Sequence, residues 1–160
     1  MSGVRQFRWD DYEAVAEVWR AAGIDVVGRA ELEAKLTRDP ELFLVAEPLT
    51  PPRASARALG PRYPGEPEGV TSIAGVVMGT YDGRRGWIFR LAVHPGHRRH
   101  GLASSLVAEL ERRLADLGCP RVNLLVMPDN EAGLRFWQHR GYLPCPDILC
   151  TKPLPSHPSS

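Results

Sequence analysis

The chain is poor in cysteine: Cys119, Cys145 and Cys150 are the whole set, and no two of them form a C-x-x-C pair. An odd, scattered trio argues against both a disulfide framework and a structural zinc site. Thiols of this kind are usually buried or inert. Charge of one sign is lacking too, since 20 lysines and arginines face 19 aspartates and glutamates, for a net charge of +1 with histidine neutral. Nothing global therefore points to nucleic acid or to an anionic membrane. No apolar run is long enough to span a bilayer, and the first residues do not read as a signal peptide, so a cytoplasmic protein that engages no membrane is expected.

A length of 160 residues fits one domain that buries about two thirds of its unfolded surface. That domain is expected to cover 1–155, with 156–160 as a tail. Val4–Phe7 reads as a short strand. Asp10 is expected to cap a helix whose Tyr12, Val15, Ala16 and Trp19 share one face and which stops at Gly23. A second helix covers Ala30–Thr37. Leu42–Ala46, Ile73–Tyr81 and Trp87–Val93 are rich in strand formers, and Asp82-Gly83-Arg84-Arg85-Gly86 joins the last two into an antiparallel hairpin. Leu102, Leu106, Val107, Leu110, Leu114 and Leu117 then form one apolar stripe, with Glu109 and Arg113 spaced to pair and Gly118 as the stop. Val122–Val126 is expected to lie parallel to Trp87–Val93. Ala132–Arg140 is a further helix, closed by Gly141 and followed by a last strand. The pattern specifies an α/β (α+β) fold.

Between Ala46 and Ile73 the chain is crowded with Pro, Gly, Ala and Arg and almost free of large apolar residues. Such a segment cannot build a core, so 48–70 reads as an insert on a rim, either without a task or as a flap over a substrate.

The stretch Leu91-Ala-Val-His-Pro-Gly-His-Arg-Arg-His-Gly-Leu-Ala-Ser104 runs from a strand end, through a basic glycine-containing turn, into the clearest helix. Helix N-termini present unpaired amides and a partial positive charge, to which Arg98 and Arg99 add full charges. A phosphorylated ligand is expected there. His97 and His100 sit in the same turn without a neighbouring carboxylate or thiolate, which disfavours a metal site.

The pattern Arg98-x-x-Gly101-x-Ala103, preceded by Leu91-x-Val93, resembles the acyl-CoA pyrophosphate loop of the GNAT acetyltransferases. Asn130, Phe136-Trp137 and Gly141-Tyr142 follow at the spacing of that family's second motif. The resemblance covers roughly Leu42 to Lys152 without the insert, which would replace a short hairpin turn. Leu42-Phe-Leu-Val-Ala-Glu47, Met78-Gly-Thr-Tyr-Asp-Gly83 and Gly118-Cys-Pro120 look most like its YpeA-like bacterial branch. The resemblance implies a mixed, mostly antiparallel sheet with a parallel, splayed central strand pair, flanked by helices. It also implies acetyl-CoA as cosubstrate, no metal, a primary amine as acceptor, no nucleic acid partner, and a monomer or homodimer.

By the same resemblance Leu91 and Val93 pair with pantetheine, and the Val93 amide faces the thioester oxygen, a donor typically worth about 3 kcal/mol. Arg98, Arg99, Gly101, Leu102, Ala103 and Ser104 surround the pyrophosphate. Asn130 falls near the pantetheine or adenosine side, and Trp137 stands where the family carries a tyrosine acid.

Three positions depart from the family. Phe89 and Leu125 replace the usual glutamate or histidine bases, and the Trp137 indole has no labile proton to give a thiolate. Glu47, Asp82 and Asp129 remain as carboxylates by type, though turn carboxylates mostly cap or are solvated. The first reading is an N-acetyltransferase. The alternative is a catalytically weak acyl-CoA-binding or sensor protein. A nucleic-acid patch at His94–His100 is disfavoured because no aromatic platform interleaves its arginines. A dinucleotide site is disfavoured because no G-x-G-x-x-G occurs.

Overall fold

The computed structural model describes residues 3–48 and 72–155. The expected insert beyond Pro48 and the tail at 156–160 lie outside the described residues. The chain divides into two compact units, Met1–Leu125 and Val126–Ser160.

The first unit is built on a five-stranded sheet in the order β1-β2-β3-β4-β5. Its strands are β1 (Val4–Gln6), β2 (Phe43–Ala46), β3 (Gly75–Tyr81), β4 (Gly86–Val93) and β5 (Val122–Leu124). The pairings from β1 to β4 are antiparallel, and β4 with β5 is parallel. β2 is buried at every position, and β3 is buried from Gly75 to Gly79. That explains their unbroken apolar runs, because a strand covered on both faces has no polar alternation to show.

One face of the sheet packs on α1 (Tyr12–Ala21) and α2 (Arg29–Arg38). Val15, Val18 and Trp19 of α1 and Leu32 of α2 share a core with Phe43, Val45, Val76, Met78 and Ala92. Trp19 stacks on Phe43 with ring centroids 6.4 Å apart. The opposite face packs on α3 (Leu102–Asp116), whose Leu106, Leu110 and Leu114 are buried. This approach depends on glycine. A Cβ on Gly79 would stand 2.7 Å from Leu110 Cδ1, and one on Gly86 would stand 2.7 Å from Cys119 Sγ.

The helix expected to start at Asp10 starts later. Trp9–Asp11 form a single 3-10 turn and α1 follows from Tyr12, leaving Asp10 exposed. The cause is Asp11, whose fully buried carboxylate accepts the Arg8 amide at 2.8 Å and a bidentate pair from Arg5 at 2.8 Å. That network fixes the turn one residue further along than the sequence suggests.

Hairpin register reveals a bulge in β4. Tyr81↔Gly86 through Met78↔Phe89 pair in one register and Val76↔Ala92 in another, so Arg90 and Leu91 together oppose Val77. Arg90 carries φ +57, in the left-handed region. The extra residue also reverses which way the amides point. Gly86 N–H donates to Arg121 O on the β5 side at 2.9 Å, whereas His94 N–H donates to Ala74 O on the β3 side at 2.7 Å. In an unbroken strand both would point the same way.

In the second unit, α4 spans Glu131–His139 and ends before Gly141, which has φ +93. No strand follows it among the described residues, contrary to expectation. Pro144, Pro146, Pro153 and Pro155 remove ladder donors at both ends of that stretch. No helix among the described residues is long and apolar enough to cross a membrane.

Candidate active site

β4 and β5 pair only from Gly86↔Val122 to Ile88↔Leu124, after which β4 continues to Val93 without β5 beside it. This is the expected splay, and the bulge aims it. Because His94 N–H is committed to β3, the amide of Val93 faces the side β5 has vacated. Leu91 lies in the bulge itself.

Beyond Val93 the chain makes a 3-10 turn, Pro95–His97, held by His94, whose Nδ1 accepts the Gly96 amide at 3.1 Å. Arg98 Nε then reaches back to the Val93 carbonyl at 3.4 Å. Arg99 and Gly101 take φ +70 and +73, and Gly101 is the N-cap of α3. Their left-handed conformations turn the chain sharply enough to leave the amides of Leu102, Ala103 and Ser104 as the open end of the helix dipole. Open space surrounds the position of a Gly101 Cβ, and the first turn of α3 holds no acid. Arg98, Arg99 and His100 are exposed around it. A helix end with open amides in a turn that carries two arginines can attract an anion. Strand edge and cradle lie in the first unit, so Leu91, Val93, Arg98, Arg99, Gly101, Leu102, Ala103 and Ser104 come together as one continuous run.

Asn130 and Trp137 belong to the second unit. Asn130 caps α4, its Oδ1 accepting the Gly133 amide at 2.9 Å. Trp137 packs edge-on against Phe136 at 5.0 Å and Tyr142 at 5.2 Å. Its indole therefore has a packing role there.

A pocket of about 330 Å³ opens at the splay, lined by Thr80, Trp87, Ile88, Phe89, Arg90 and Leu125. Phe89 and Leu125, which the sequence marks as apolar replacements of the family's bases, both stand in its wall. Arg90 was missed altogether. Its guanidinium lies 4.7 Å over the Trp19 ring and donates to the Asp25 carbonyl, while its Nε is buried with no partner among the described residues. Burial lowers its pKa from the ordinary arginine value, and Asp25 and Glu31 counter that in part. A positive φ at a non-glycine residue leaves no mark in sequence.

Two of the three carboxylates available by type, Glu47 and Asp82, are engaged elsewhere. Glu47 accepts Arg5 Nε at 2.9 Å. Asp82 accepts the Arg85 and Arg84 amides at 2.7 Å, and those bonds hold its carboxyl below the usual range. Asp129 lies in an exposed turn of the second unit. Among the described residues, no three His, Cys, Asp or Glu side chains are grouped to hold a metal ion.

Comparison with known proteins agrees with this geometry. Residues 4–142 match the model of the family described as Acetyltransferase (GNAT) family. An acetyltransferase of Photorhabdus laumondii is 38% identical over 142 residues, covering 87% of this chain and 85% of the relative. One of Pectobacterium atrosepticum is 37% identical over 144 residues, covering 87% and 86%. Among solved structures, Ard1 from Thermoplasma volcanium superposes with a TM-score of 0.69 at 22% identity, covering 89% of this chain and 82% of its own. The NatB acetyltransferase complex bound to CoA and MES gives 0.66 at 20% identity, covering 86% and 81%.

Proposed function

The chain belongs to the acetyltransferase (GNAT) family and is an N-acetyltransferase, and on that footing we propose that it transfers the acetyl group of acetyl-CoA to a primary amine. The observation that carries this reading is the β4 bulge, which turns the Val93 amide toward the edge that β5 leaves open, in a strand that runs on into the α3 cradle. One chain segment thus offers a backbone donor for a carbonyl oxygen and, a few residues on, amides and guanidiniums for a diphosphate.

In this reading Arg98, Arg99, Gly101, Leu102, Ala103 and Ser104 hold the pyrophosphate of acetyl-CoA, and the free edge at Leu91 and Val93 pairs with its amide-bearing arm. The thioester supplies an activated acetyl group and a leaving thiolate. The Val93 amide stabilises negative charge on the carbonyl oxygen as the amine attacks. The family pattern assigns Asn130 and Trp137 to the same cosubstrate, on the strength of sequence alone.

Phe89 and Leu125 line the opening and neither can accept a proton. The amine then enters neutral, or loses its proton to water or to a residue outside these positions. The same observation favours a second reading, a CoA-binding protein with little turnover. Release of free thiol from acetyl-CoA, followed against a broad amine panel, separates the two. Amine-dependent release supports transfer. Tight CoA binding with no release for any amine supports the sensor.

A further inference from the structure

The proposed transfer leaves the acceptor unspecified, and the pocket at the splay narrows it. Four of its six lining residues, Trp87, Ile88, Phe89 and Leu125, are apolar, and the single charged one is Arg90. Resting on the N-acetyltransferase reading, we propose that the acceptor is a primary amine attached to one apolar group, about the size of an aromatic ring or a branched aliphatic chain, with no second cation beside it. The apolar group lodges against Trp87, Phe89 and Leu125.

Size is the first argument. A volume of about 330 Å³ is at the small end for ligand pockets, which run from about 300 to 1,000 Å³. Such a space holds about one ring against its walls. Charge is the second argument. The carboxylate behind Thr80 is that of Asp39, which accepts the Thr80 hydroxyl at 2.6 Å, the Tyr81 amide at 3.1 Å and the Lys35 ammonium. Its charge is balanced by Lys35. Lys35 itself stands 5.9 Å from the Phe89 ring. A polyamine or aminoglycoside would bring a second ammonium against apolar walls whose one charged lining residue is itself a cation, Arg90. It would lose hydration there, and none of the described lining residues carries a negative charge to offset that. A lone amine on an apolar group leaves no charge behind once it is neutral, and apolar surroundings favour that form.

The test compares kcat/KM, with saturating acetyl-CoA, for 2-phenylethylamine, a short peptide beginning with phenylalanine, putrescine, spermidine and kanamycin. At least one of the first two should exceed every polycation by about tenfold or more, and which of them leads tells a free amine from a peptide N-terminus. Trp87→Glu places a carboxylate in the wall and should shrink that ratio at least tenfold, while Trp87→Leu should keep the order. Leu125→Glu, at a position 63% exposed, repeats the test should Trp87→Glu not fold. A parent enzyme that prefers spermidine or kanamycin overturns the proposal, as does an unchanged ratio in a folded glutamate variant. Where acetyl-CoA binds but no amine releases thiol, transfer itself fails. Quenching of tryptophan fluorescence by each amine on the CoA-loaded protein then decides the pocket. Saturable quenching by phenylethylamine and not spermidine sustains it, and the reverse overturns it.

Discussion

Gly86 opens β4 and His94 directly follows its last residue, an even separation, yet their amides donate to opposite neighbours, Arg121 O at 2.9 Å and Ala74 O at 2.7 Å. The reversal is produced at Arg90 and Leu91, the pair that opposes Val77. Everything proposed for the strand edge depends on it, because without the extra residue the Val93 amide would face β3.

Arg90 holds the bulge at φ +57, a conformation that costs a residue with a Cβ about 1–2 kcal/mol. Arg90→Ala and Arg90→Gly both remove the contacts to Trp19 and the Asp25 carbonyl. Only glycine also relieves the backbone. Denaturant unfolding should find Arg90→Gly the more stable of the two by about 1 kcal/mol. Equal stabilities would mean that the bulge is not strained.

Asp39 ties α2 to β3. Burial pushes its carboxyl upward, but hydrogen bonds from Lys35, Thr80 and the Tyr81 amide outweigh that and hold it below the usual carboxylate range. Asp39→Ala strands those donors at a residue only 5% exposed. Breaking a buried pair costs about 3 kcal/mol, equivalent to a fall of roughly 6–12 °C in Tm for a chain of this size. A calorimetric scan showing less than about 2 °C would remove the tie from the account.

Glu109 is held down to about 2 from 4.5, first by its hydrogen bond from Arg112 and then by that from Arg113. A carboxyl lowered on folding adds stability that is complete above pH 4.5 and is lost as pH falls toward 2. The parent should therefore lose stability across that window more steeply than Glu109→Gln, as read from urea midpoints at each pH. Parallel curves would show that the helix-surface pairs contribute nothing.

Most of the framework was legible because it follows from periodicity. The apolar spacing of Leu102, Leu106, Leu110 and Leu114 fixes the buried face of α3, and the turn at Asp82–Gly86 fixes the hairpin. The start of α3 was legible because Gly101 stands just before the apolar stripe, and it is the N-cap at φ +73. The bulge was not, since an arginine at positive φ looks like any other strand residue. Gly79 and Gly86 carried a signal that went unused: glycines on the sheet face toward α3 mark where Leu110 and Leu114 come close. The last strand was over-read, because its apolar residues outweighed the prolines flanking them. Asp11 was displaced by one position because the ion pair with Arg5 is a tertiary fact with no local cue.

Trp137 packs between Phe136 and Tyr142, which suits a wall and not a proton donor. Trp137→Tyr should then change kcat by no more than about tenfold. The pH–rate profile should follow ionisation of the amine, with no added enzyme acid near the phenol range of roughly 9–10. A gain of about 10²-fold would show that a missing acid limits the parent.

The most direct measurement of the central claim is isothermal titration of acetyl-CoA into the parent protein and into Gly101→Val. Gly101 sits at φ +73 where the α3 amides open, and a branched side chain there both strains the turn and fills the approach of a diphosphate. The parent should bind, and the variant, checked for a cooperative melt, should bind at least about tenfold more weakly, a loss of 1.4 kcal/mol or more. A folded Gly101→Val protein that binds acetyl-CoA as tightly as the parent, or a parent that does not bind it at all, would contradict the account.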